Sequence, residues 1–189
     1  MNTYQCINDI INEDERKQLL SEAMNFKLWN DKFSFQVLEF YPDSKILLST
    51  FSKDLEESSF KDILDFTSPL IKKLISKVNP KLTLKQAAYV KIPVGGGVRV
   101  HKDTDTIPGR RTCITWALSS IKDFSPVIFY NEDKTFNEKV YYEEKPLILN
   151  TSKYHSVDNE TEPRYSFQLC FYETIEEILE LYKKGKVFI

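Results

Sequence analysis

Residues 164–172 read Arg-Tyr-Ser-Phe-Gln-Leu-Cys-Phe-Tyr, and the alternation in that stretch decides the fold class. In an extended chain, successive side chains point to opposite faces. Tyr165, Phe167, Leu169 and Phe171 then share one apolar face, while Arg164, Ser166, Gln168, Cys170 and Tyr172 share the other. The apolar face can pack on helices. The second face must look onto something wet or charged, because a guanidinium turned into a protein interior is costly without an anion beside it.

Working back from this strand, short strand-like pieces recur at 89–92, 98–100, 112–118, 127–130, 139–142 and 147–149. Turn formers separate them: Gly95–Gly97, Pro108 with Gly109, Ser125 with Pro126, and the run Asn131–Asp133. Many short strands at this spacing indicate a sandwich or barrel. In 112–118, Ile114, Trp116 and Leu118 share a face, and Cys113, Thr115 and Ala117 make the other face small. The small face suits tight sheet packing, the favoured reading, or room for a ligand.

The first third reads as helical with short strands. Asn12 with Glu15 forms a capping box ahead of Leu19, Leu20, Ala23 and Met24. The segment 33–41 is aromatic enough for a strand and is closed by Pro42. Helical periodicity over 55–78, broken at Ser68 and Pro69, predicts two helices, the second beginning at Pro69. Thr174 with Glu177 caps a last helix. The expected architecture is α+β and mostly β. It is one domain over 1–189, with helical support in 1–80, a β core in 85–173 and one C-terminal helix.

Composition narrows the function classes. A length of 189 residues supports a core without metal or disulfide staples, and a net charge of -2 argues against a general nucleic-acid or anionic-membrane binder. The three cysteines, Cys6, Cys113 and Cys170, are odd in number and widely spaced, which fits a reducing compartment. No secretory signal and no apolar run of membrane-spanning length is seen, so a cytoplasmic location is expected.

His101 and His155 are the only two histidines. His101 and Asp103 stand at i and i+2, so on an extended strand they point the same way. Two imidazoles and one carboxylate are the ligand set of the facial triad that holds non-haem Fe(II) with open positions. Arg164 can clamp a carboxylate through paired hydrogen bonds, and the Ser166 hydroxyl can add another.

His101-Lys102-Asp103, then His155, then Arg164-Tyr165-Ser166, in that order within a strand-rich region, resembles the Fe(II)/2-oxoglutarate-dependent oxygenases. The likeness runs from Tyr89 to Phe171, and the opening segment is loosely similar to the lead-in of prolyl-hydroxylase-like members, with aspartyl- and asparaginyl-hydroxylases as the other branch considered. The resemblance implies a double-stranded β-helix, or jelly roll. It implies that His101, Asp103 and His155 bind Fe(II), and that Arg164 with Ser166 binds the distal carboxylate of 2-oxoglutarate. Tyr89 is a further candidate for that co-substrate. The activity implied uses O2 to hydroxylate a C–H bond, with succinate and CO2 as co-products. The substrate is then a protein side chain (prolyl, or Asp/Asn), or a free amino acid or small metabolite, with no membrane partner and nucleic acid disfavoured.

Some positions depart from subclasses of that family. Many prolyl 4-hydroxylases carry Lys where this chain has Arg164. The nucleic-acid demethylase branch has a second Arg where this chain has Cys170, and the halogenase variant lacks the acid that Asp103 supplies. A non-catalytic jelly-roll binding module remains the alternative from another class. A zinc hydrolase would have no use for Arg164. Arg99, Lys102, Arg110 and Arg111 form either a solvated loop or a contact for an acidic ligand, and 104–109 is a candidate lip over the site. Gly95–Gly97 is read as a turn allowing close backbone approach rather than a phosphate cradle.

Overall fold

The computed structural model describes residues 3–53, 58–106 and 108–189. The chain opens with strand β1 (Tyr4–Cys6) and helix α1 (Glu13–Met24), followed by β2 (Phe35–Phe40), β3 (Ile46–Phe51) and β4 (Ser58–Asp62). Helix α2 (Pro69–Ser76) leads into β5 (Leu84–Ile92) and β6 (Gly97–His101). The one-turn helix α3 (Asp103–Thr106) precedes β7 (Thr112–Ala117), β8 (Val127–Tyr130), β9 (Phe136–Val140) and β10 (Leu147–Asn150). Strands β11 (His155–Asp158) and β12 (Arg164–Phe171) and helix α4 (Ile175–Lys183) complete the chain.

Among the described residues the strands form two antiparallel sheets. One has eight strands in the order β1-β10-β7-β12-β5-β2-β3-β4, and the other has four in the order β6-β11-β8-β9. Mostly β with few helices, the chain buries two apolar layers. One lies between the large sheet and the helices, where Phe167, Leu169 and Phe171 of β12 meet Leu19, Leu74 and Ile178. The other lies between the sheets, where Val90, Ile92 and Cys113 meet Val98, Phe129 and Val157. The alternation of β12 therefore distributes as expected: its aromatic face lies on the helix side and its polar face lies between the sheets.

Local signals account for the helix ends. The Asn12 side chain accepts from the Glu15 amide while Glu15 reaches back to the Asn12 amide, and Thr174 with Glu177 repeats the arrangement at α4. Ser68 caps α2, with Pro69 in its first turn.

The helix expected ahead of Pro69 is not there. Residues 54–57 lie outside the described residues, and Ser58–Asp62 instead pairs with β3, Phe51 opposite Ser58 and Leu47 opposite Asp62. The apparent helical stripe is not a buried one: Phe60 is 62% exposed and Leu64 89%. Residues 1–80 are therefore not simply helical support, since β1–β4 belong to the same sheet as β5 and β12. Strand β3 escaped the sequence reading. It is reached from β2 by a turn in which Ser44 takes φ +71°, and no glycine marks that turn. Strands β1 and β11 are likewise additional to the expected ones, and β9 runs Phe136–Val140 rather than 139–142. Among the described residues no helix is long and apolar enough to cross a membrane.

The glycine turn at 95–97 does what its sequence suggests. A Cβ on Gly97, at φ +154°, would lie 2.3 Å from the Val157 carbonyl oxygen, so glycine is what lets β6 close onto β11. Gly95 takes φ +74° but faces open space. Gly95→Ala is expected to cost about 1 kcal/mol, the ordinary left-handed penalty. Gly97→Ala should cost roughly 2–3 kcal/mol, because strain and backbone collision add. Urea unfolding of the two variants side by side checks that order.

Candidate metal centre

His101 ends β6 and His155 opens β11, and the two are directly opposed in the antiparallel register. Their rings stand 4.4 Å apart, centroid to centroid. In each ring Nδ1 lies against a backbone carbonyl: Arg99 O at 2.8 Å for His101, and Lys153 O at 2.9 Å for His155. A carbonyl only accepts, so Nδ1 carries the proton in both rings and Nε2 is left with its lone pair. Both Nε2 atoms face Asp103 Oδ1, at 3.3 Å from His101 and 3.6 Å from His155. One donor atom from each residue lies within 4.8 Å of the others.

Asp103 reaches this place differently from the i, i+2 strand arrangement expected. It is the first residue of α3, its backbone N–H donating to Thr151 O at 2.9 Å. The chain turns out of β6 immediately after His101, and the carboxylate swings in from the turn.

Asp103 is 6% exposed, and its second oxygen, Oδ2, lies 2.8 Å from Arg110 Nε. The contact is off the hydrogen-bond axis and acts as a charge pair. The other end of Arg110 donates from Nη2 to Gln168 Oε1 on β12, 2.9 Å away. Burial opposes ionisation of Asp103, but Arg110 first, and then the triad imidazoles in their charged form, outweigh it and hold the carboxyl well below its usual range. Burial dominates at His155 and pushes it down to about 4, despite the pull of Asp103. At neutral pH the site thus presents an imidazole lone pair and a carboxylate, the forms in which these residues bind metals.

A cavity of about 330 Å³ connects the triad to Arg164 and Ser166. Arg164 is 4% exposed and is gripped on three sides. It donates to Tyr142 Oη at 2.8 Å and to Ser125 O at 3.2 Å, and its guanidinium lies 4.4 Å and 4.9 Å from the ring centroids of Phe124 and Tyr142. Its Nε and the Ser166 Oγ are buried without a hydrogen-bond partner. Desolvation lowers the Arg164 pKa, with Tyr142 opposing, and among the described residues no buried carboxylate pairs with it. A fixed cation and a hydroxyl with unmet capacity suit an incoming carboxylate.

The structure gathers His101, Asp103, His155, Arg164 and Ser166 around one cavity, but not Tyr89. Tyr89 has the opposite parity on β5 from Val90 and Ile92, which line the cavity. Its hydroxyl donates to Glu22 Oε2 at 2.8 Å on α1, and its ring packs near Phe40 and Phe167 in the helix-side core. It cannot reach a co-substrate from there, and the expectation is corrected. The basic cluster also divides. Arg110 is buried beneath the triad, Lys102 pairs with Glu132 at 2.8 Å, and Arg111 is exposed. In the expected lip, Thr106 and Pro108 line the cavity, while Ile107 lies outside the described residues. Cys113 lines the cavity too, so the small face of β7 makes room there rather than packing tightly throughout. Tyr142 and Phe124 are site residues to which the sequence assigns no role; Arg110 stands out there only as one of four basic residues, seven positions after Asp103.

No protein-family model matches the chain, and no curated protein is detectably similar in sequence. Solved structures are similar in fold. A viral collagen prolyl hydroxylase from Paramecium bursaria chlorella virus 1, solved as a 2-oxoglutarate complex, aligns with TM-score 0.56 at 12% identity, over 90% of this chain and 96% of that one. HygX from Streptomyces hygroscopicus, solved with nickel and 2-oxoglutarate, aligns with TM-score 0.57 at 14% identity, over 92% and 84%. A prolyl hydroxylase from Trichoplax adhaerens, in complex with a hypoxia-inducible-factor peptide fragment, aligns with TM-score 0.53 at 15% identity, over 96% and 87%. At these identities the likeness establishes a shared fold.

Two outcomes are expected of the metal-free chain. Arg110→Leu strands Asp103 as a lone buried charge and should cost roughly 3–5 kcal/mol, with a clearly smaller loss for Arg110→Leu combined with Asp103→Asn than for the two single changes summed. Chemical denaturation of the four proteins measures it. The second outcome concerns pH. Between the ordinary 6.5 of an unfolded histidine and about 4, the unfolded chain binds a proton at position 155 that the folded chain refuses. Stability therefore falls as pH drops through that window, and His155→Gln should flatten that part of the denaturation profile.

Proposed function

We propose that this chain is an Fe(II)- and 2-oxoglutarate-dependent oxygenase built on a double-stranded β-helix, hydroxylating a C–H bond. The observation that carries the reading is the pairing, in one cavity, of three convergent metal-donor atoms with a buried Arg164 and Ser166 whose hydrogen-bonding capacity is incomplete. The shared fold supports it, as do the nickel and 2-oxoglutarate bound by HygX.

His101 Nε2, His155 Nε2 and Asp103 Oδ1 would hold the ferrous ion, and the donor set fits it: two borderline nitrogens and one hard oxygen of opposite charge. When bound, the ion and 2-oxoglutarate supply the oxidising chemistry, with O2 consumed and succinate and CO2 released. The chain's own residues do the positioning. Arg164, fixed by Tyr142 and Ser125, receives the distal carboxylate, and the Ser166 hydroxyl donates to it. Arg110 keeps Asp103 ionised and correctly turned. Phe129, Val98 and Val157 give the centre an apolar wall that limits water. The substrate is a protein side chain, or a small molecule of similar bulk. The modest volume of about 330 Å³ beside the metal favours one compact group in either case.

Anaerobic addition of Fe(II) and 2-oxoglutarate should give the visible charge-transfer band of a 2-oxoacid on ferrous ion. Arg164→Ala should raise the 2-oxoglutarate requirement at least tenfold with little change in metal affinity, and His155→Ala should abolish succinate formation. A folded, metal-loaded protein with neither the band nor 2-oxoglutarate binding would be a binding module instead.

A further inference from the structure

The oxygenase reading uses Asp103, Arg110 and Arg164 but leaves one buried charged side chain of the cavity unused. Glu39, on β2, is 4% exposed and lines the same cavity as the triad. Its Oε2 accepts from the Tyr41 and Ser49 hydroxyls, each at 3.1 Å, and its Oε1 accepts from the Gln86 side-chain amide at 3.0 Å. All three donors are neutral. Among the described residues no ion pair reaches Glu39. Arg110 acts on it only through space, and the lysine at the cavity edge, Lys85, places its Nζ 5.4 Å from the Tyr172 ring centroid. A buried carboxylate held only by neutral donors is costly until a cation completes it, and burial accordingly pushes its pKa up. A second acceptor stands beside it: Gln86 Oε1 is buried with no donor, on a residue that is 0% exposed. Gln86 shares its face of β5 with Val90 and Ile92 of the cavity wall.

The register shows how this acidic corner relates to the metal centre. Glu39 on β2, Ala88 on β5 and Gln168 on β12 stand in one row across the sheet. Two strand spacings, roughly 10 Å, separate the outer two, and the Ala88 methyl between them fills little of that gap. Gln168 is bonded to Arg110, which holds Asp103. A ligand lying along the row therefore has Glu39 at one end and the metal ligands at the other. Its flank is apolar: Phe35 and Phe51 lie 5.6 Å apart, Phe51 and Phe60 6.0 Å, and all three line the cavity.

Resting on the oxygenase reading, we propose that Glu39, with Gln86 beside it, is the subsite for a cationic head group, and that the substrate is a compact aliphatic amine or guanidine. The ammonium or guanidinium donates to Glu39, which Gln86 holds from behind, the aliphatic stem lies against the phenylalanines, and a C–H bond several atoms away is presented to the metal. The three strands β2–β4, which extend the large sheet beyond β5, supply the carboxylate and the aromatic flank of this subsite.

The test uses full-length protein loaded with Ni(II), with and without 2-oxoglutarate. The probes are n-butylguanidinium and n-pentylammonium, against the neutral n-butylurea and n-pentanol. The cations should bind at least tenfold more tightly than their neutral counterparts. Glu39→Gln should weaken cation binding at least tenfold while leaving neutral probes and 2-oxoglutarate affinity within about twofold of the parent protein. Equal affinity for charged and neutral probes in the parent protein overturns the proposal, whether or not the variant folds. Undiminished cation binding by a folded Glu39→Gln protein overturns it as well. Loss of 2-oxoglutarate binding in the parent protein would instead overturn the oxygenase reading, and the charge preference measured with metal alone would still decide the subsite.

Discussion

The contact on which the rest of the site depends is the buried charge pair of Asp103 and Arg110. An ionised carboxylate enclosed between two β-sheets is tolerable only with a partner at hand. Arg110 provides that partner on one oxygen, leaving the other oxygen facing two imidazole lone pairs. The same guanidinium bonds Gln168 on β12, so the turn carrying Asp103 is tied to the large sheet while the two histidines ride on the small one. Each of the three donor residues is oriented by a protein group: a backbone carbonyl for each imidazole, and Arg110 with the Thr151 carbonyl for Asp103. The three donor atoms are thereby held in place in advance, and little ordering would remain to oppose a metal ion.

Strand β12 joins this centre to the hydrophobic core by doing different work on its two faces. Phe167, Leu169 and Phe171 anchor it to the helices and fix its register against β5 and β7. Because side chains alternate, that anchoring also dictates where Arg164, Ser166 and Gln168 stand in the cavity. A slip by one residue would bury the guanidinium among leucines and turn Phe167 into the cavity. The packing core therefore specifies the position of the charged groups.

This also explains what could be read from the sequence. The triad and Arg164 with Ser166 are legible because their chemistry is rare, ordered along the chain and set in a strong alternation. The core strands are legible for the same alternation. Strands β3 and β4 were not, because β4 is an exposed edge and its Phe60, with Leu64 just beyond it, mimics helical spacing without being buried. Tyr89 was misplaced by sequence proximity to the triad, when strand parity sends it to the helix side. Arg110 was visible only as one of four basic residues. Its burial depends on β12 passing beneath the loop, a contact between positions far apart in sequence that no local pattern encodes. Glu39 sits in an aromatic strand where alternation alone does not say which face meets the cavity.

The placement of charge in the cavity has a consequence for how two ligands share it. The Arg164 end is positive and the Glu39 wing negative, and among the described residues neither group has an ion-pair partner. Between them Asp103 and Arg110 cancel. A dicarboxylate is drawn to one end and repelled at the other, and an amine or guanidine experiences the reverse. On the proposed reading each wall would reject the other wall's ligand, the repulsive half of specificity. A cavity of about 330 Å³ is small enough for misplacement of either ligand to block the other. On the proposed reading, opposite charges at its two ends would sort the pair within a single sheet interface.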